Sequence, residues 1–187
     1  MDKPVSDTTQ TATFYRGAVL QHMANLELFL NTYIAFFFCG RGSNRFQDML
    51  TLILGDERMS LSSKAQIFHQ ISTHHDVKWY NAYESIRIPP KEKKGKYTLN
   101  NDLIFVIEER NIFAHRVCDI VGTMGGVDPV EDGALRFMRF KNSIEPIDYT
   151  KEKFSELLKV ILLITTHFVE GTKGIKSTYA PSAPTDI

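Results

Sequence analysis

An arginine, an asparagine directly after it and a histidine four residues further on form the group Arg110-Asn111-x-x-x-His115. These are the residues of this chain whose types and spacing best suit chemistry. An imidazole titrates near neutral pH and can give or take a proton. A guanidinium keeps its charge, and its fork of donors neutralises anionic oxygens such as those of a phosphate. Asn111 and His115 are four residues apart, so on a helix they stack on one face. On a helical wheel, Val106, Phe113 and Val117 fall to one side of Arg110, and Leu103, Ala114 and Ile107 to the other. Arg110 therefore sits near the middle of an apolar arc, with Asn111 and His115 at its edge and Glu108 close by. Ala114, between Arg110 and His115, leaves space above the backbone.

A cation facing a core needs an anionic partner. The long first helix offers Glu27, which sits at the centre of an arc made by Leu20, Met23, Ala24, Leu30, Ile34 and Phe38. Glu27 and Arg110 are expected to lie within salt-bridge reach. Two consequences stay open: an internal ion pair, or a Glu27 that orients Arg110 toward a groove where an anion binds. The same helix has a second stripe, His22, Phe29, Tyr33 and Phe36, which suits burial on two sides. It would meet either a second copy of the chain or the C-terminal helix.

Helical spacing of apolar residues predicts a first helix from about Thr9 to Phe38, stopped at Gly40-Arg41-Gly42. Ser43 caps a second, running to about Leu54, and Ser60 a third, running to about Thr73. A short helix is expected at Trp79-Ser85. Pro89-Pro90 and the run KEKKGK read as a solvated basic loop. Thr98 opens the helix that carries the motif. Gly122, Gly125, Gly126, Pro129 and Gly133 then break the chain, and Ala134-Lys141 alternates as part of a hairpin would. Thr150 starts a last helix to about Val169 or Glu170, with Gly171 and Gly174 beyond it. The expected fold is an all-α, up-and-down helical bundle with a loop or hairpin inserted before the last helix. It forms one domain over 9–173, between flexible tails at 1–8 and 175–187.

The totals bound the partners. The chain has 187 residues, 43% of them hydrophobic, with 22 basic and 22 acidic side chains, so its formal net charge is zero. A non-specific polyanion binder would normally be basic. Cys39 and Cys118 lack metal or redox spacing and read as free thiols of a reducing compartment. The apolar runs are too short to span a bilayer, and the polar N-terminus lacks a signal core. A cytoplasmic protein without membrane contact is expected.

An Arg, a polar residue directly after it, three variable residues and a His, on a late helix of a small helical bundle, resembles the signature of HEPN ribonucleases. Here it reads RNIFAH, residues 110–115, and the first helix with its inward acidic residue in LELFL is also similar. The specific part covers six residues. The resemblance implies metal-independent cleavage of RNA, in which a ribose 2′-OH attacks the adjacent phosphate. His115 would be the general acid or base and Arg110 would neutralise the phosphoryl oxygens. Asn111 would hold the imidazole or the phosphate, with Glu27 and Glu108 in support. It also implies a homodimer with two motifs facing one cleft, no cofactor or metal, and an antitoxin or regulatory protein as a further partner. The chain departs from HEPN toxins silenced by nucleotide transfer, which commonly carry a Tyr two residues after the His; here that position is Val117.

A different class of function stays open, a non-catalytic HEPN-like module that binds a nucleotide or a protein partner. His69, His74, His75 and Asp76 form a local cluster with the residue types of a metal site. Phe137, Phe140, Arg136 and Arg139 mix aromatic and basic residues, as either an RNA-contacting strand or an amphipathic hairpin would. Ser62-Ser63-Lys64 reads as a helix N-terminus.

Overall fold

Gly40 ends the first helix for a local reason. Its φ of 75° is left-handed, where a side chain would clash. Its N–H turns back to the Phe36 carbonyl at 3.0 Å. Ser43 and Ser60 then open helices as the sequence suggests: the Ser43 hydroxyl accepts from Arg45 N–H and the Ser60 hydroxyl from Ser63 N–H. The Ser62-Ser63-Lys64 stretch is thus the first turn of a helix.

The computed structural model describes residues 5–40, 43–90, 95–119, 134–140 and 144–174. In chain order the helices are α1 (Val5–Cys39), α2 (Asn44–Asp48, continuing as a π-helical turn over Met49–Leu54), α3 (Leu61–His75), α4 (Val77–Asn81), α5 (Leu99–His115) and α6 (Lys151–Gly174). Strands β1 (Val117–Cys118), β2 (Leu135–Phe140) and β3 (Ile144–Tyr149) lie between α5 and α6 and form one antiparallel sheet in that order. The protein is mostly helical. No described helix is long and apolar enough to cross a membrane. The first helix begins at Val5, earlier than the expected Thr9. Residues 1–4 and 175–187, read as tails, lie outside the described residues, as do 91–94 of the basic run and 120–133 of the glycine-broken stretch.

Within the span read as one helical domain the chain forms two compact units. The first comprises Met1–Ala24 with Phe105–Leu162, and the second Asn25–Ile104 with Leu163–Ile187.

In the first unit, β2 pairs with β3 in the register Phe137 opposite Ile147 and Met138 opposite Pro146. The hairpin suggested by the alternation of Ala134-Lys141 is therefore present. Phe137 is fully buried, and Arg136, 5% exposed, is held by Asp148 through two hydrogen bonds of 2.7 and 2.8 Å. These two side chains serve the interior rather than an RNA surface; the side chains of Arg139 and Phe140 lie outside the described residues. Tyr15 of α1 stacks on Phe154 of α6 at a ring separation of 3.6 Å.

The second unit is centred on a ring cluster. Tyr33 lies edge-on to Phe68 at 5.0 Å and parallel to Trp79 at 5.7 Å, while Phe168 meets Phe68 at 4.7 Å. Gly171 belongs to this packing. A β-carbon there would lie 2.2 Å from the Trp79 ring, so only glycine admits the indole. The sequence placed Gly171 beyond the helix end; α6 instead runs through it to Gly174.

His167, one turn before Gly171, stacks on Trp79 at 4.6 Å and meets the edge of Tyr83 at 5.3 Å. Burial among these rings disfavours the imidazolium and lowers the His167 pKa below its ordinary value. In the unfolded chain the imidazole charges first as pH falls, so protons favour unfolding. Stability is therefore expected to be full above the ordinary histidine pKa and to decline as pH drops below it. Urea denaturation at neutral and mildly acidic pH checks this: His167→Gln should flatten the decline. An unchanged slope would show that His167 is not its source.

Candidate functional site

The end of α5 is fixed by side chains that alternate with those of the motif. Phe113 is fully buried, 4.9 Å from the Phe137 ring and 4.7 Å from the Tyr149 ring. Glu109 accepts a hydrogen bond from the Tyr149 hydroxyl. After His115 the chain turns directly into the sheet, with Val117 opposite Met138 and Cys118 opposite Phe137. Arg16 of α1 donates to the carbonyl of Arg116, just past the helix end, and its guanidinium lies 5.4 Å from the Phe137 ring centre. A cation at that end satisfies a carbonyl that the helix leaves open. Val117 is therefore the first strand residue, not the last of the helix.

With Phe113 turned inward, Asn111 and His115 are turned outward, and both are exposed. Glu108 is exposed too. Glu108, Asn111 and His115 follow one another at i, i+3 and i+7, which places them along a single face over two turns. Arg110 points about 100° away from Asn111 on the helix. Its long side chain nonetheless reaches round, and Nη1 donates to Asn111 Oδ1 at 3.2 Å. Arg110 is half-buried rather than enclosed in the apolar arc. The structure thus brings Arg110, Asn111 and His115 to one end of one helix.

Glu27 has a different partner. It lies in the second unit, and its carboxylate accepts from the ammonium of Lys64. The carboxylate expected to meet Arg110 is thus committed to Lys64 of its own unit. The physical reason is Lys64 itself: its side chain is only 4% exposed, so its charge requires a carboxylate. The core face of α1 is also rotated from the expected arc. Met23, Leu26, Leu30, Tyr33 and Ile34 are buried, whereas Leu20, Ala24 and Phe38 are exposed. Glu27 sits at the edge of that face, where Lys64 reaches it.

The second stripe of α1 is partly internal. Tyr33 is buried, donates to Asp76 and packs on Phe68, Trp79 and Phe168, and Phe36 stacks on Phe46 at 4.7 Å. At Tyr33 the stripe meets α3, α4 and the C-terminal helix.

The histidine cluster is dispersed among separate partners. His69 Nδ1 lies 2.7 Å from the Tyr80 hydroxyl, His74 Nδ1 2.8 Å from the Gln70 carbonyl, and His75 packs on the Phe37 ring at 4.8 Å. Asp76 is held by Tyr33. Among the described residues no group of three or more His, Cys, Asp or Glu could hold a metal. In the second unit a pocket of about 300 Å³ is lined by Tyr80, Tyr83, Glu84, Lys96 and Tyr97, among others. No motif residue lines it.

Sequence reasoning missed Arg16 and Glu109, the two side chains that anchor the end of α5. Arg16 is a hundred residues from its partner, so no local pattern marks it. Glu109 differs from the exposed Glu108 only by its place on the wheel. Compared with protein-family models, with curated proteins and with solved structures, the chain matches none.

Proposed function

We propose that this chain is a metal-independent endoribonuclease of HEPN type, an up-and-down helical bundle that acts as a homodimer. A role as a toxin or defence factor, restrained by an antitoxin or regulatory protein, fits the same resemblance. One observation carries the reading: an exposed imidazole, an exposed amide one turn before it and a guanidinium drawn to that amide share the end of one packed helix.

The chemistry follows from these groups. His115 takes the proton of a ribose 2′-OH or gives one to the departing 5′-oxygen. Attack of the 2′-oxygen on the adjacent phosphorus breaks the bond to the 5′-oxygen, leaving a 2′,3′-cyclic phosphate and a free 5′-OH. Arg110 neutralises the charge that grows on the phosphoryl oxygens. Asn111, holding the guanidinium, fixes where that charge is met. One imidazole cannot readily serve both attack and departure, which is why a second copy is part of the reading.

The test is product analysis. Purified protein incubated with single-stranded and structured RNAs in EDTA is expected to release fragments ending in a 2′,3′-cyclic phosphate. RNAs left uncut would favour the non-catalytic binding module. Cleavage abolished by EDTA would point to a different site.

A further inference from the structure

The pocket of the second unit is a site that the motif chemistry leaves unused. It holds about 300 Å³, the lower end of the range for small-molecule sites. Three phenol rings line it: Tyr80 of α4, Tyr83 just after α4, and Tyr97 just before α5. Each ring has a fixed partner. The Tyr80 hydroxyl lies 2.7 Å from His69 Nδ1, the Tyr83 hydroxyl donates to Asp102 at 2.7 Å, and the Arg87 guanidinium lies over the Tyr97 ring at 4.3 Å. The walls are therefore set before any ligand arrives, which lowers the ordering cost of binding. Burial raises the pKa of both Tyr80 and Tyr83, so these walls stay neutral phenols.

The charges at the pocket decide what it takes. Lys96 and Glu84 both line it, with side chains 83% exposed and 4.0 Å apart. An exposed pair at that distance is worth little, so Lys96 keeps its attraction for another anion. Thr98 and Leu99 add the first turn of α5, the positive end of the dipole of a 17-residue helix. A cationic ligand would meet Lys96 and that helix end, and the face of Tyr97 beneath Arg87 is already given to a cation.

We propose that this pocket binds a small planar ring bearing an anionic group, with the ring among the three tyrosines and the anion at Lys96 and the start of α5. A cavity of about 150 Å³ already accommodates benzene, so this one has room for a ring and its charged group. The pocket residues all belong to the second unit, whereas Arg110, Asn111 and His115 belong to the first. The inference is therefore independent of the ribonuclease reading, and its test involves no RNA.

Isothermal titration of the full chain with phenyl phosphate, phenol and inorganic phosphate separates the two halves of this chemistry. Phenyl phosphate should bind about tenfold or more tightly than either of the others, a difference of about 1.4 kcal/mol. Lys96→Ala should weaken its binding about three- to tenfold, by removing a charge-assisted contact. Glu84→Gln, which removes the competing carboxylate, should tighten it about two- to threefold. Both side chains are exposed, so helix content and thermal midpoint should stay as in the wild type. In proton NMR spectra the ring resonances of Tyr80, Tyr83 and Tyr97 should shift with phenyl phosphate. Inorganic phosphate binding as tightly as phenyl phosphate would show an anion held by surface charge alone and overturns the proposal. Phenol binding as tightly would remove the anionic half and overturns it too. So does phenyl phosphate that fails to bind at millimolar concentration, binds without regard to Lys96→Ala, weakens in Glu84→Gln, or leaves those tyrosine resonances unmoved.

Discussion

Replacing His115 by alanine is expected to lower RNA cleavage by about a hundredfold or more, the usual worth of a positioned acid or base. The fold should survive the change. His115 is exposed at the last position of α5, and the neighbouring packing is done by Phe113, Glu109 and Arg16. Removing an exposed ring there opens no cavity. Arg110→Ala should inactivate with equal clarity. Had Arg110 been the partner of Glu27, its loss would have stranded a carboxylate; Glu27 is instead held by Lys64, and Arg110 donates to Asn111. Cleavage rates paired with circular dichroism separate chemistry from folding. Cleavage that persists in the His115 variant would place proton transfer on another residue.

The largest effect on stability is expected at Asp102. Its side chain is fully buried, accepting from the Tyr83 hydroxyl at 2.7 Å and from Arg87 Nη1 at 3.0 Å. The Arg87 guanidinium in turn lies over the Tyr97 ring at 4.3 Å. Burial, with Asp102 as hydrogen-bond acceptor, pushes the Tyr83 pKa up, so the hydroxyl stays protonated as a donor. Asp102→Ala would remove the carboxylate that a largely buried cation and a buried hydroxyl share. That should cost about 3–5 kcal/mol, the range for breaking a buried pair by deleting one partner. A domain's whole stability is about 5–15 kcal/mol, so the variant should be at the edge of folding. Asp102→Asn keeps an acceptor for Tyr83 and should cost less. Urea midpoints for the two variants test the ordering. A loss below about 1 kcal/mol for Asp102→Ala would put the pair in the class of exposed ion pairs.

What could be read from the residues was whatever their near neighbours decide. The stop at Gly40, the caps at Ser43 and Ser60, and the helix holding Arg110, Asn111 and His115 depend on contacts within a turn or two. So does the shared face of Asn111 and His115, which follows from their separation of four residues. The hairpin was half legible, because the β2 stretch alternates only in part and β3 carries a proline opposite Met138. Tertiary structure alone decided the rest. Apolar residues lie on several sides of α1, so its wheel offers competing core faces; packing chose the one through Leu26 and Leu30. The partner of Glu27 was settled by a buried lysine on another helix, which has the same charge as Arg110 and is distinguishable from it only in space. Gly171 reads as a helix terminator until Trp79 occupies the room its missing side chain leaves. Local geometry is set by covalent spacing and hydrogen bonds along the chain, whereas a charge or a ring finds its partner only after distant segments have folded together.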